Sequence, residues 1–369
     1  MKFTCTQENL YHGLAQVVHV ASKSATLPIL NNVLIRVDDG MINLSATNLE
    51  IGIKTSLRGK IENPGEFTVR AKLIFDYISL LPKGNVNLEL VGQTLQLTCQ
   101  NYTTSVRGLL STDFPVIPEI IKDNPIKIKS GKLKPALAQV ISAVALDESR
   151  PEISGVLFNF SGDSLTLAGT DSYRLAEKKL KVDSQLKEDL KVILPLRTMQ
   201  EVFRILSEVD EQEVTIYLND SQALFQLNDE VELVSRLIEG NYPDYQQIIP
   251  ASSKSMAKFD VAEMIKVVKS ASLFCKPGIN DIKIILTPSK KEMVVTAVNS
   301  GIGENVAKFE AEVTGEVNEA VFNYRYFLDG LSNLGGKEGR LELTSESAPG
   351  VIKSEADDSY IYIVMPIRQ

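Results

Sequence analysis

Hydrophobic and polar residues alternate along this chain with two different periods, and each period predicts one kind of secondary structure. Apolar residues spaced three or four positions apart predict a helix with one buried face. Apolar residues spaced two positions apart, as in 86–90 and 214–218, predict an antiparallel strand with one face in water. The helical spacing predicts six helices, over residues 10–18, 73–81, 133–141, 198–207, 264–271 and 326–334.

The two patterns recur three times in the same order, which indicates an internal repeat. Asn48, Asp171 and Asn299 each end a strand-like run, and they lie 123 and 128 positions apart. A second set of matching segments, leading from a strand into a helix, recurs at 125 and 128 positions. We therefore expect an α+β fold of three repeated domains, each with two helices packed on antiparallel sheets. The expected domains are residues 1–125, 126–251 and 252–369.

Composition and charge narrow the class of protein. The 369 residues are 44% hydrophobic and 23% charged, as in globular proteins. The net charge of −8 argues against a protein that coats nucleic acid through uniform positive potential. Since no apolar run approaches the roughly 18 residues of a membrane helix, we expect a cytoplasmic protein without membrane contact. Three widely spaced cysteines predict free thiols: Cys5, Cys99 and Cys275.

Patterns typical of enzymes are weak. His12 and His19 are the only histidines, and on one predicted helix they would be separated by a rise of about 10 Å, too far to share a metal. The glycines of residues 330–337 follow a helical pattern, which favours a helix stop over a phosphate loop. We predict no catalytic residue, cofactor or metal. A repeat-built enzyme with an active site between domains is the alternative.

Basic residues recur on the polar faces of helices in successive repeats. Such positions can face a phosphate backbone without reading bases. Scattered solvated cations are the plainer interpretation, and what favours a DNA-facing surface is the recurrence of these residues in an acidic chain. The residues are Lys132, Lys134, Arg197, Arg204, Lys266 and Lys269.

Residues 360–368 alternate like a strand and then end in an apolar run. One interpretation is an edge strand of the core. The other is that Met365, Pro366 and Ile367 line a hydrophobic groove for the peptide of a partner, with methionine as adaptable surface.

Four motifs are more informative together than any one alone: Thr-Leu-Pro-Ile-Leu at 26–30, Thr-Asp-Ser-Tyr-Arg-Leu at 170–175, Tyr-Pro-Asp-Tyr at 242–245 with Pro250, and Val-Met-Pro-Ile-Arg at 364–368. In this order and over the whole length, the chain resembles the bacterial DNA sliding clamps, the beta subunits of DNA polymerase III. The resemblance implies a homodimer, joined head to tail, that closes a six-domain ring around duplex DNA regardless of sequence.

The same resemblance implies a processivity factor without catalysis or cofactor. Such a clamp tethers the catalytic subunit of the replicative polymerase, is opened by a clamp-loader ATPase, and serves other replication and repair proteins that carry a clamp-binding motif. It would act in the cytoplasm, with the nucleoid during replication.

Carried over residue by residue, the resemblance implies one docking pocket for short peptides with apolar anchors. Of the three equivalent turns, only the middle one has the Tyr-Arg-Leu ending. Gln247 stands where some family members have arginine, and residues 347–350 do not align. The implied pocket consists of Ile153, Thr170, Ser172, Tyr173, Arg174, Leu175, Pro243, Gln247, Ile248, Ile279, Asn323, Tyr326, Ile363, Val364, Met365, Pro366, Ile367 and Arg368.

The resemblance implies two further surfaces. In the dimer, Ser105, Val106 and Arg107 of one chain would meet Leu273 and Phe274 of the other. The DNA-facing set would also include Lys23 and Arg150.

Overall fold

The computed structural model describes residues 1–21, 26–38, 40–208 and 211–368. Within these ranges the chain forms six α-helices and twenty-seven strands. They follow one order three times: a strand, a helix, five strands, a second helix and three strands. The repeat predicted from the sequence is therefore confirmed. No helix in these ranges is long and apolar enough to cross a membrane.

All six predicted helices are present, with ends that differ by a few residues. Asn323 explains the early start of the last helix, because its side chain accepts a hydrogen bond from the amide of Arg325. Gly335 and Gly336, with φ of +69° and +81°, follow the end of that helix, as the helix-stop interpretation predicts. The helices are α1 (Gln7–Val17), α2 (Ala71–Leu80), α3 (Ser130–Ile141), α4 (Leu196–Glu208), α5 (Val261–Ser272) and α6 (Tyr324–Ser332).

Each repeat contributes nine strands. In the first they are β1 (Lys2–Thr6), β2 (Asn32–Asp38), β3 (Met41–Thr47), β4 (Ile51–Leu57), β5 (Lys60–Asn63), β6 (Gly65–Arg70), β7 (Asn85–Val91), β8 (Thr94–Cys99) and β9 (Tyr102–Arg107). In the second they are β10 (Ile126–Lys129), β11 (Gly155–Ser161), β12 (Ser164–Thr170), β13 (Arg174–Lys181), β14 (Asp183–Ser184), β15 (Leu190–Pro195), β16 (Glu213–Leu218), β17 (Gln222–Gln226) and β18 (Val231–Arg236). In the third they are β19 (Ser255–Asp260), β20 (Asp281–Thr287), β21 (Glu292–Asn299), β22 (Gly303–Glu310), β23 (Glu312–Gly315), β24 (Asn318–Asn323), β25 (Glu338–Leu343), β26 (Gly350–Ser354) and β27 (Tyr360–Val364).

The chain divides into two compact units, and the first consists of residues 1–131, 183–186 and 197–237. It holds a five-stranded sheet, β5-β1-β7-β8-β9, and a nine-stranded sheet, β14-β10-β16-β17-β18-β4-β3-β2-β6. The larger sheet spans two repeats because β4 pairs antiparallel with β18, which places Ile53 opposite Leu233. Helix α1 packs on α2 and on β3 and β4.

The second unit consists of residues 132–182, 187–196 and 238–369. Its nine-stranded sheet has the order β15-β11-β12-β13-β27-β26-β25-β19-β23, and its four-stranded sheet the order β22-β21-β20-β24. Here β13 pairs antiparallel with β27, which places Leu175 opposite Ile363. The same two strands of the repeat thus meet in both units. Helix α5 packs on α6 and on β21 and β22.

The cysteines are free and buried, as predicted. Burial raises the pKa of the Cys5 thiol to about 12. Burial, helped by Asp281, raises that of Cys275 to about 11. Both thiols therefore stay protonated at neutral pH and are poor nucleophiles. In the described ranges no group of three or more His, Cys, Asp or Glu side chains is placed to hold a metal ion.

Candidate functional site

The candidate site begins at the turn between β12 and β13, which we call the docking turn (residues 170–174). Thr170 Oγ1 donates to the carbonyl of Arg174 (2.6 Å) and accepts from the amide of Ser172 (3.1 Å). Asp171 Oδ1 accepts from the amides of Tyr173 (2.9 Å) and Arg174 (3.0 Å). These bonds hold Ser172 at φ +75°, a left-handed conformation that residues with a side chain seldom adopt. Tyr173 is 62% exposed as a result.

Arg174 joins the docking turn to helix α6. Its Nε lies 3.0 Å from Asp171 Oδ2, and its Nη1 donates to Asp329 Oδ2. The guanidinium carbon lies 4.6 Å from the centre of the Tyr326 ring, a cation–π arrangement. Burial would lower the pKa of Arg174, but Tyr362, Asp329 and Asp171 outweigh burial and raise it. The side chain is only 12% exposed, and a charge removed from water in this way requires partners, which the carboxylates of Asp171 and Asp329 supply.

The segment after β27 forms the next wall. The amide of Met365 donates to the carbonyl of Tyr173 (2.8 Å), and the amide of Ile367 donates to the carbonyl of Val321 (2.7 Å). The rings of Tyr173 and Tyr326 stack beside it, with centroids 6.3 Å apart and planes at 18°. The tail is a core strand, as the first interpretation predicts, but β27 lies between β13 and β26 and is therefore not an edge strand. Residues 365–367 are half-buried beyond it, and their role as a groove for a partner's peptide stays a prediction.

A short 3-10 helix, Tyr245–Ile248, forms the wall on the other side of β13. The hydroxyl of Tyr245 donates to Glu177 Oε2 on β13 (2.6 Å), which fixes this helix to the sheet. Burial, together with Glu177, raises the pKa of Tyr245, so the hydroxyl keeps its proton. Ile248 is 40% exposed. Gln247 donates to Asp244 (2.7 Å) and brings no charge to this wall.

At the base of the candidate pocket, one backbone amide links two segments of the chain. Ile153, which is 3% exposed, ends the 3-10 helix Pro151–Ile153. Its carbonyl and that of Thr170 both accept from the amide of Ala145, at 3.3 and 3.1 Å. This shared donor holds the 3-10 helix against the docking turn.

Arg150 lies at the docking turn. Its Nη1 donates to Ser172 Oγ (2.9 Å), and its Nε lies 3.2 Å from Glu152 Oε1. The side chain is 52% exposed. A contact with DNA is untested and stays a prediction, but the observed contacts belong to the candidate pocket.

The segment 347–350, which the sequence left unaligned, lies beside the tail. Gly350 pairs with Val364 at the start of β26. Ser347 lines a cleft of about 270 Å³ with Lys283, Glu319, Ala320, Val321, Glu346, Ile367 and Arg368. Ile367 and Arg368 therefore belong both to this cleft and to the predicted pocket.

The predicted pocket residues all lie in the second unit and form two layers. Five are buried and form the floor: Ile153, Thr170, Leu175, Ile363 and Val364. The others are at least partly accessible: Ser172, Tyr173, Arg174, Pro243, Gln247, Ile248, Ile279, Asn323, Tyr326, Met365, Pro366, Ile367 and Arg368. Their role in docking stays a prediction. Sequence reasoning missed Asp329, since a partner 155 residues from Arg174 leaves no local signal.

Most predicted DNA-facing cations lie at helix surfaces. On α3, α4 and α5, Lys132, Arg197, Lys266 and Lys269 are exposed and Lys134 is half-buried. None of these five is in an ion pair within the described ranges. Lys23 lies outside the described residues.

Arg204 differs from the other predicted DNA-facing cations because its guanidinium is already occupied. It contacts Glu201 (2.6 Å) and Glu208 (3.0 Å) and donates to the carbonyl of Gln16 (3.0 Å). It is a balanced charge and offers a phosphate little attraction.

The predicted dimer residues lie on or near the outer strands of two sheets. Residues 105–107 belong to β9, the last strand of the five-stranded sheet, where Val106 points into its own core at 6% exposed. Leu273, at the end of α5, is 74% exposed. The ring of Phe274 lies beside Gly303, at the start of β22. Strand β22 is an edge strand of the four-stranded sheet.

Comparison with known proteins covers the chain in three parts. Family models described as the N-terminal, central and C-terminal domains of the DNA polymerase III beta subunit match residues 1–118, 127–244 and 246–368. The chain is 28% identical to the beta sliding clamp of Synechocystis over 389 aligned positions, covering 100% of this chain and 99% of that protein. It is 27% identical to the clamp of Bacillus subtilis, with both chains fully covered.

Solved structures give the same result. The sliding clamp of Bacillus subtilis has a TM-score of 0.95 at 27% identity, covering 100% of this chain and 99% of that one. The DNA polymerase III subunit beta of Pseudomonas aeruginosa, solved bound to griselimycin, has a TM-score of 0.95 at 26% identity with both chains fully covered. The similarity therefore extends over all three repeats.

Proposed function

The chain belongs to the DNA polymerase III beta subunit family, and from that premise we infer that it is a sliding clamp, a dimeric ring that encircles duplex DNA and tethers the replicative polymerase. The family match in three consecutive parts carries this conclusion. Members of the family are non-catalytic processivity subunits, which sets aside the enzyme alternative. The proposed domains are residues 1–125, 126–251 and 252–369, and the three consecutive matches, to residues 1–118, 127–244 and 246–368, support three domains in this order.

The pairing of strands supports a head-to-tail dimer. In each repeat the third of the five strands corresponds to β4, β13 or β22, and the last strand to β9, β18 or β27. Strand β4 pairs with β18, and β13 pairs with β27. By the same rule β9 of one chain would pair with β22 of a second chain, and two such contacts close the assembly. This pairing would also cover two open edges, which otherwise invite unspecific association.

The exposed Leu273 gives a direct test of this dimer. Leu273→Asp places a charge in the expected interface and should shift the protein from dimer to monomer in sedimentation experiments. The matched control is Leu146→Asp, since Leu146 is 84% exposed and belongs to the second repeat, which contributes no strand to the expected interface. A dimer that survives Leu273→Asp would contradict the assignment.

In this proposal the ring needs only a weak affinity for DNA. A closed ring stays on DNA through topology, so a few unpaired helix cations are enough and an acidic protein can serve. The slope of log K against log salt is about −0.9 per neutralised phosphate, so few contacts give a shallow salt dependence. The proposed place of action is DNA in the bacterial cytoplasm.

The docking pocket gives the ring its partners. Its exposed aromatic and aliphatic residues fit a short segment with apolar anchors from the polymerase catalytic subunit, the clamp loader or a repair protein. The griselimycin complex of the Pseudomonas relative supports a ligand-binding surface on this fold.

The experiment that tests topological binding uses nicked circular DNA. A clamp loader places labelled protein on the circle, and gel filtration separates bound from free protein. Cutting the circle should release the protein, because a ring slides off a free end. Retention after cutting would contradict the proposal, and release of protein from uncut circles serves as the background.

A further inference from the structure

The end of the docking pocket formed by the third repeat carries three exposed cations. Lys276, Arg325 and Arg368 are exposed, and within the described ranges none of them is in an ion pair. We call them the rim cations. The protein as a whole is acidic, with a net charge of −8, so a positive rim here is a local departure.

Each rim cation lies close to a predicted pocket residue, either next to it in the chain or through a backbone hydrogen bond. The carbonyl of Lys276 accepts from the amide of Ile279 (3.2 Å). The amide of Arg325 donates to Asn323 (2.9 Å), and Tyr326 follows it in the chain. Arg368 follows Ile367, whose amide is bound to Val321.

The guanidinium of Arg325 lies beside Tyr324, at the start of α6. Its Nε donates to the hydroxyl of Tyr324 (3.3 Å), and its carbon lies 5.8 Å from the centre of that ring. The amide of Tyr324 in turn donates to the carbonyl of Asn280 (2.8 Å), in the loop that carries Ile279. The backbone of Tyr324 therefore joins the start of α6, which carries Arg325, to the loop that carries Lys276 and Ile279.

Two of the four carboxylates near this end are in ion pairs. Asp329 is bound to Arg174, and Glu319 is bound to Lys283 (2.7 Å). Glu346 shares the cleft with Arg368, and Asp281 is half-buried. Of these four carboxylates only Glu346 is exposed and outside an ion pair within the described ranges, so three exposed cations face one such carboxylate and the accessible charge of the rim is positive.

We propose that the pocket selects partner segments that carry carboxylates beside their apolar anchors, and that the rim cations read those carboxylates. This inference rests on the docking function proposed above. Charges at the rim of an interface act mainly through association rate and salt dependence, and each contributes modestly.

Two synthetic peptides test the proposal on the full-length protein. Both carry two leucines and a phenylalanine as anchors, and runs of glutamate or of glutamine flank these anchors on both sides. In fluorescence anisotropy at low salt, the glutamate peptide should bind about three- to thirtyfold more tightly. The difference should fall to about twofold at high salt, because screening shortens the reach of exposed charges.

Paired variants locate the effect. Lys276→Ala with Arg325→Ala should remove most of the preference for glutamate. The control, Lys290→Ala with Lys337→Ala, removes the same charge from two exposed lysines of the third repeat and should keep the preference.

The outcomes separate the two proposals. Equal binding of both peptides would overturn the rim proposal while docking stands. Failure of both peptides to bind would contradict the docking function itself. A rim variant that keeps the glutamate preference but loses retention on circular DNA would assign these cations to DNA and overturn the proposal.

Discussion

The turn after β3 and the docking turn after β12 are held by the same hydrogen bonds. Thr47 Oγ1 donates to the carbonyl of Ile51 (2.9 Å) and accepts from the amide of Leu49 (3.1 Å), as Thr170 does in the docking turn. Asn48 accepts from the amides of Glu50 (3.0 Å) and Ile51 (2.7 Å), as Asp171 does from its neighbours. Leu49 and Ser172 have φ of 76° and 75°. Threonine followed by Asn or Asp therefore fixes the backbone in both repeats.

The difference between the turns lies in the residues that follow. Glu50 and Ile51 stand where the docking turn has Tyr173 and Arg174, and Ile51 is 3% exposed. Arg174 at the equivalent position requires Asp171 and Asp329 to balance its charge. The same turn conformation therefore occurs next to a strand pairing without a predicted pocket in the first repeat, and next to the candidate pocket in the second.

Removing the tail should have the largest effect on the comparison. Deletion of residues 365–369 removes the wall bonded to Tyr173 and to Val321, and it should weaken binding of a polymerase-derived peptide at least about a hundredfold, as loss of several central contacts does. Fluorescence anisotropy measures this loss. Unchanged affinity would refute the pocket assignment.

Tyr173→Ala should follow in size. The exposed ring stacked on Tyr326 is a large anchor, and its loss should weaken peptide binding about ten- to thirtyfold. Glu50→Ala, at the equivalent position of the first turn, is the matched control and should bind like the unaltered protein. Equal losses in both variants would show that the two turns do not differ in docking.

Asp171→Ala should act on both stability and docking. It removes two bonds to backbone amides and one partner of Arg174, which should cost about 1–3 kcal/mol of unfolding free energy and about tenfold in peptide affinity. Asn48→Ala removes the same backbone bonds and should lower thermal stability without changing peptide affinity. A loss of affinity in Asn48→Ala would contradict the assignment of docking to the second turn.

The smallest change in peptide affinity is expected when part of the docking turn is transferred to the turn after β3. Leu49→Ser with Glu50→Tyr recreates the Ser-Tyr pair on the shared scaffold. Because the other walls come from residues far apart in sequence, we expect no measurable peptide binding by this turn once Tyr173→Ala has weakened the predicted site. Restored affinity in the combined variant would show that the turn alone is sufficient.

Sequence reasoning reached the parts of the site that are encoded locally. The hydrogen bonds of the docking turn connect residues at most four positions apart, and the repeat made that turn visible. The pairing of β4 with β18 and of β13 with β27 was not predictable, because a period of two identifies a strand but not its neighbour. The same limit applies to Arg204, whose bond to the carbonyl of Gln16 spans 188 positions. The sequence therefore predicts Arg204 as a DNA-facing cation without revealing the contacts that already occupy its guanidinium.

The ion triad of Arg174 links the evolution of two repeats. Asp171 and Asp329 both contact the guanidinium of Arg174, so replacing either aspartate changes the charge that surrounds the contact made by the other. The effects of such neighbours on stability are not additive. A lineage can thus alter the charge at either aspartate only along restricted mutational routes, and the first step determines which second steps are tolerated. Substitutions of the rim cations would leave this triad intact, because the triad consists of Asp171, Arg174 and Asp329 alone.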